Sequence, residues 1–213
     1  MLKTNKKTLI LTSIVTLLPI LVGVLLWNRL PDVMATHFGM SNEANGFSSK
    51  AFTVFGLPLF MLAMLWFCAV ITSNDPRKQN ISPKVFTLVL WIIPVVSLIC
   101  AAIIYTYNLG YNWNITFVME LFTGILFIII GNYLPKSRQN YTVGIKLPWT
   151  LADEDNWNRT HRLGGFLWVI CGILLIVMTL TGFKTEIFLF GIIIAAAVVP
   201  CIYSYLLYKK KGE

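Results

Sequence analysis

Charged side chains are scarce in this sequence: Asp, Glu, Lys and Arg make up 12% of its 213 residues, against 57% hydrophobic residues and a mean hydropathy of +0.73. A soluble domain needs roughly twice that share of charge to cover its surface, so that class is excluded. Histidine is scarcer still, with only His37 and His161. Neither sits in a cluster of carboxylates or cysteines at ligand spacing, so no metal site is expected. The four cysteines, Cys68, Cys100, Cys171 and Cys201, show no paired spacing and fall within or at the ends of apolar runs, which assigns them to packing rather than to disulfides. The G-x-S-x-G elbow, the H-E-x-x-H zinc helix and the P-loop are all missing. No catalytic or cofactor-binding residue and no cofactor are expected, and the chain is not read as an enzyme.

What the sequence does have is apolar length. Thr8 to Trp27 carries no charge over 20 residues, which at 1.5 Å per residue spans about 30 Å, the thickness of a hydrocarbon core. Comparable runs follow at Ala51 to Thr72, Val85 to Asn108, Ile115 to Leu134, Leu163 to Gly182 and Ile187 to Tyr208. Glu120 is their one interruption by a formal charge. The expected fold is all-α: a single transmembrane domain over residues 1–213, a bundle of about six membrane helices with a short cytoplasmic interfacial helix. The first run exceeds a signal peptide's apolar stretch and no A-x-A site follows it, so it is read as a retained helix.

The cations give a direction, because Lys and Arg stay on the cytoplasmic side. With the N-terminus inside, the inner segments hold Lys3, Lys6, Lys7, Arg77, Lys78, Lys84, Lys136, Arg138, Lys146, Arg159, Arg162, Lys209, Lys210 and Lys211. Only Arg29, Lys50 and Lys184 fall outside. Both termini are therefore expected on the cytoplasmic side of a cell membrane. The net charge of +8 is then this same bias, with some attraction to anionic lipid, and implies no direct binding of nucleic acid. His37 falls outside and His161 inside, so the two are not expected to share a site.

The links after Asn108 and after Gly182 are tight turns, and Ser73 to Lys84 is short and basic, with Asp75-Pro76 as a breaker and no sign of chemistry. Two links are long. The outer one, Asn28 to Lys50, is rich in turn formers and is expected to fold as a compact loop. The inner one, Pro135 to Arg162, contains Thr150 three residues before Asp153, a capping-box-like start, with Asp153, Glu154 and Asp155 set against a helix dipole. A short helix is expected from Leu151 to about Leu163, closed by Gly164-Gly165. Trp157, Thr160 and His161 share one of its faces, so it is expected to lie in the inner interface with Trp149 and Trp157 as anchors.

Glu120, an intramembrane acid, is a functional suspect by its position, although it lies close to the outer surface and has a polar neighbour or water within reach. Gly191 and Ala195 fit a helix-packing contact. A transporter or ion-coupled carrier, or less readily a membrane-interface hydrolase built from Asp153, Glu154, Asp155 and His161, remains open on the residues alone.

The inner string GNYLPKSRQNYTVGIKLPWTLADEDNWNRTHRLGG, residues 131–165, closely resembles the signature of the sporulation-delaying-protein immunity (SdpI) family of bacterial membrane proteins. That family carries G-N-x-x-P-K, then N-Y-x-x-G-I-[RK]-x-P-W-T-L, then W-x-x-T-H-R-x-G-G. The matching positions are Asn132, Pro135, Lys136, Asn140, Tyr141, Gly144, Ile145, Pro148, Trp149, Thr150, Trp157, Thr160, His161, Arg162 and Gly164, and the inner signature also takes in Lys146. The outer string LPDVMATHFGMSNEANGFSSK is also similar to a segment of the same proteins, through Leu30, Pro31, His37, Phe38, Gly46 and Lys50. The chain departs where Lys146-Leu147 replaces the commoner Arg-Thr and Ala35 replaces a proline, and the first departure removes a guanidinium fork. The resemblance implies a membrane immunity protein that protects the cell against a secreted peptide toxin. In some members it also implies signalling, in which the occupied protein captures a cytoplasmic repressor. On that reading the peptide meets the outer loop, and the repressor reads Lys136, Arg138, Lys146, Arg159 and His161.

Overall fold

The computed structural model describes residues 1–39, 41–183 and 185–212; Lys184, counted above among the outer cations, lies outside them. Among the described residues, six helices are long and apolar enough to cross a membrane. In chain order the elements are α1 (Lys6–Leu25), β1 (Val33–Phe38), β2 (Ala44–Ser49), α2 (Leu57–Ser73, entered through a π-helical turn at Phe52–Gly56), α3 (Pro83–Asn108), α4 (Ile115–Tyr133), α5 (Pro148–Ala152), α6 (Glu154–Thr181) and α7 (Thr185–Gly212). They group into two compact units, Met1–Asn74 with Phe86–Thr116, and Asp75–Val85 with Phe117–Glu213.

The helices are inverted relative to a soluble protein. On α1 the buried positions include Thr12, Thr16, Pro19 and Gly23, while Leu11, Ile14, Leu18 and Leu21 face outward. Small and hydroxylated residues pack helix on helix, and the branched aliphatics face what must be lipid. The buried Thr12 and Thr16 hydroxyls bond within α1, donating to the carbonyls of Thr8 at 2.9 Å and Thr12 at 2.8 Å, so neither is stranded in hydrocarbon.

In the first unit, Leu30, Met34, Val54, Ile104 and Tyr105 form a buried apolar cluster. Tyr105 Oη donates to the Pro19 carbonyl at 3.0 Å, and Ser97 Oγ to the Thr16 carbonyl at 3.2 Å. The segment expected as a compact loop is an antiparallel hairpin, paired from Val33 with Ser49 to Phe38 with Ala44 and irregular around His37. Beyond the strands Asn42 takes φ +64°, and the Gly39 N–H donates to the Glu43 carbonyl at 2.9 Å.

In the second unit α4 and α6 meet backbone to backbone. A Cβ on Gly131 would lie 2.8 Å from the Gly165 carbonyl oxygen, and one on Gly172 would lie 2.5 Å from that of Gly124. This seam corrects two expectations. Gly164-Gly165 does not close a short helix: α6 begins at Glu154 and runs through both glycines, because they serve close packing rather than chain reversal. Gly191 is not the packing contact, having nothing within 4 Å, and Ala195 is exposed. α7 pairs antiparallel with α6, through Trp168 Nε1 donating to the Ala196 carbonyl at 3.0 Å and Asn156 Nδ2 to that of Ser204 at 2.9 Å.

Candidate functional site

The segment from Gly131 to Gly165 is tied down by its own polar side chains. Asn140, fully buried, donates through Nδ2 to the carbonyls of Arg138 at 2.8 Å and Val143 at 3.0 Å. Its Oδ1 accepts the N–H groups of Thr142 at 2.9 Å and Val143 at 2.7 Å. One side chain thus replaces the backbone ladder that this irregular stretch lacks. Gln139 Nε2 donates to the carbonyls of Thr150 and Leu151 at 2.8 and 3.0 Å, and its Oε1 accepts from the Arg77 guanidinium. Thr150 Oγ1 accepts the Leu147 N–H at 2.8 Å. Thr150 therefore caps α5, and the N-cap of α6 is Asp153, whose Oδ1 accepts the Asp155 N–H at 3.0 Å.

Trp157, Thr160 and His161 do share a face, but it is turned into the protein. All three are buried, which removes Trp157 as an interfacial anchor and His161 as a group that a partner reads. Trp157 Nε1 donates to the Ser137 carbonyl at 2.7 Å, and the Trp157 and His161 rings stack with centroids 3.9 Å apart. The Ile145 N–H points at His161 Nε2 at 2.9 Å, and the Trp157 carbonyl lies 2.8 Å from Nδ1. A backbone N–H can only donate and a carbonyl only accept, so the imidazole is neutral with its proton on Nδ1. Gly144, at φ +127°, lies over this pair: a Cβ there would press into His161 Nε2 and come 3.0 Å from Trp157. Thr160 Oγ1 donates to Asn156 Oδ1 at 3.0 Å, and Ser204 Oγ donates to the same oxygen at 2.6 Å, which fastens α7 to the knot.

Asp75, Arg77 and Asn80 are contributors that the sequence reading passed over. Asp75 is buried, and its Oδ2 accepts the Tyr141 N–H at 2.9 Å and the Thr142 hydroxyl at 2.8 Å. Asn80 Nδ2 donates to the Gln139 carbonyl at 2.8 Å. A single carboxylate in an otherwise basic connection was the available signal. Lys211 bridges to Asp153 at 2.6 Å and to Asp155 at 3.2 Å, and its ammonium holds the Asp153 carboxyl below the usual carboxylate range. The Trp149 ring lies against Tyr205 and Tyr208, with centroids 5.5 and 6.0 Å apart. Asn132, Pro135, Lys136, Arg138, Lys146, Pro148, Arg159 and Arg162 are exposed, whereas Gly164 is buried against Ile145. Glu120 is buried in the second unit and accepts the Thr179 hydroxyl at 3.1 Å.

In the first unit the hairpin is stapled at both ends. Lys50 Nζ reaches Asp32 at 2.9 Å and the Trp27 carbonyl at 3.2 Å. Asn108, another unforeseen contributor, grips β1 by accepting the Ala35 N–H and donating to the Ala35 carbonyl, both at 2.9 Å. His37 is exposed, its Nδ1 2.5 Å from Asn45 Oδ1; the Phe38 ring meets Tyr107 edge-on, and Pro31 is exposed. Gly46 lies opposite His37, where a Cβ would come 2.7 Å from the His37 Cβ. Val33 and Phe47 are 64% and 62% exposed, an apolar surface at the hairpin.

Comparison with known proteins follows this division. Residues 136–204 match the sequence model of the SdpI/YfhL protein family, and residues 14–62 match a domain of unknown function (DUF1648). The chain is 27% identical over 206 residues to "Immunity protein SdpI" of Bacillus subtilis (strain 168), covering 94% of this chain and 96% of that protein. No solved structure matches it.

Proposed function

We propose that the chain is a multi-pass membrane protein of the SdpI family, and that it is an immunity protein that protects the cell carrying it against a secreted peptide toxin. The observation that carries this reading is the match to an immunity protein over nearly the full length of both chains. The outer signature residues fall on or beside a stapled hairpin that exposes Val33 and Phe47, an apolar surface suited to a hydrophobic peptide. The distribution of Lys and Arg supports cytoplasmic termini, with this hairpin facing the environment.

Signalling is the finer part of the proposal. A cytoplasmic repressor would meet the exposed cations of the signature segment, among them Lys146, Arg159 and Arg162, but not the buried His161. Coupling requires that the toxin bind two states of the protein with different affinity. Catalysis is not part of the reading, since His161 uses both ring nitrogens in backbone contacts.

The test is expression in a sensitive cell challenged with candidate toxic peptides, with protein level measured in parallel. Wild type should rescue growth without consuming the peptide, and His37→Ala should weaken rescue at an unchanged level. His161→Ala should lose rescue only as far as it loses folded protein. Rescue that disappears when the membrane gradient is collapsed would indicate a carrier, and a chemically altered peptide would indicate an enzyme.

A further inference from the structure

An open groove of about 400 Å3 in the second unit is lined by Gln79, Asn80, Ser82, Lys84, Tyr133, Lys136 and Arg138. Three of these carry positive charge, four offer amide or hydroxyl groups, and no carboxylate is among them. Its walls are held in place independently of any ligand. Asn80 is bonded to the Gln139 carbonyl at 2.8 Å, and Lys136 Nζ sits 3.2 Å from Asn132 Oδ1 and 5.1 Å over the Tyr133 ring. Like charges gathered around a concavity raise the local potential and favour an anion there.

The level of the groove points to its occupant. Lys84 stands one residue before the uncharged run of α3 begins, and Tyr133 closes α4. Basic and tyrosine side chains at such ends mark the headgroup layer, where phosphate is the abundant anion. We infer that this groove binds the phosphate headgroup of an anionic phospholipid, with Lys84, Lys136 and Arg138 as cationic contacts and Ser82 and Gln79 as hydrogen-bond donors. This assignment is independent of the immunity reading, and it needs only that α3 and α4 span the bilayer.

The purified protein is loaded with phosphatidylglycerol or phosphatidylcholine in detergent micelles, and retained lipid is counted by native mass spectrometry. Phosphatidylglycerol should be retained in preference to phosphatidylcholine. The triple variant K84Q/K136Q/R138Q should weaken that retention roughly 10- to 100-fold, as expected for three partly screened cations near an anionic headgroup. The charge-keeping variant K84R/K136R/R138K should restore it, which separates binding from folding. Variant K3Q/K209Q/K210Q, with the same net charge change elsewhere, should leave retention unchanged. Equal losses in the two neutralised triples would overturn the inference, as would equal retention of the two lipids. Displacement of phosphatidylglycerol by equimolar inorganic phosphate would overturn the lipid as the source and assign the groove to a soluble phosphate.

Discussion

Truncating Asn140 to alanine tests whether the signature segment is a self-supporting polar knot. The substitution orphans the N–H groups of Thr142 and Val143 and the Arg138 carbonyl, while the Val143 carbonyl keeps the Ser137 hydroxyl at 3.2 Å. Each buried orphan costs about 1–3 kcal/mol, and water entering the vacated volume moves the sum toward the lower end, about 3 kcal/mol. For a chain of this length that corresponds to a fall in Tm of roughly 6–12 °C. Asn140→Asp should cost at least as much, because a carboxylate would face the two carbonyls that Nδ2 now serves. Thermal unfolding of the detergent-solubilised protein, followed by tryptophan fluorescence, gives the comparison, with Lys146→Ala as the exposed control expected within about 2 °C of wild type. If Asn140→Ala melts within that same margin, the knot does not hold the segment.

Gly144→Ala should be much worse than Gly110→Ala: both residues sit at positive φ, but only Gly144 has His161 and Trp157 in its path, whereas Gly110 faces open space. Melting of the two variants separates backbone strain of about 1 kcal/mol from the added clash. Gly131→Leu should break the α4–α6 seam and yield aggregated protein on size-exclusion chromatography, whereas Gly191→Leu should elute as wild type. Glu120→Gln keeps an oxygen to accept the Thr179 hydroxyl, so growth rescue should be unchanged; loss of rescue at normal protein level would restore the carrier reading. Lys211→Gln removes exposed, solvent-screened ion pairs with Asp153 and Asp155 and should leave the melting temperature at the wild-type value in the same assay.

The six spans were legible because bilayer length is a one-dimensional signal: observed and expected ends agree within about two residues for the first four. The fifth was found but its start was misplaced, because Gly164-Gly165 reads in sequence as a helix stop, while its actual use against Gly131 and Pro135 depends on a neighbouring helix. The hairpin was hidden because β1 and β2 pair irregularly and the Asn45-Gly46 dipeptide, an ordinary turn signal, lies inside β2, opposite His37. The common face of Trp157, Thr160 and His161 followed from helical spacing, but which way it turns depends on what covers it. Periodicity says nothing of Ser137, Ile145 or Ser204. Asp75 and Asn108 were missed for a related reason, since their partners lie 66 and 73 residues away along the chain.

The account depends on the hairpin facing the environment and the signature segment facing the cytoplasm. The direct measurement replaces Cys68, Cys100, Cys171 and Cys201, introduces a single cysteine at the exposed Glu43 or Lys146, and treats intact cells with a membrane-impermeant maleimide. Glu43→Cys should label at once, and Lys146→Cys only after the membrane is permeabilised. Labelling of position 146 with sparing of position 43 in intact cells would contradict the account.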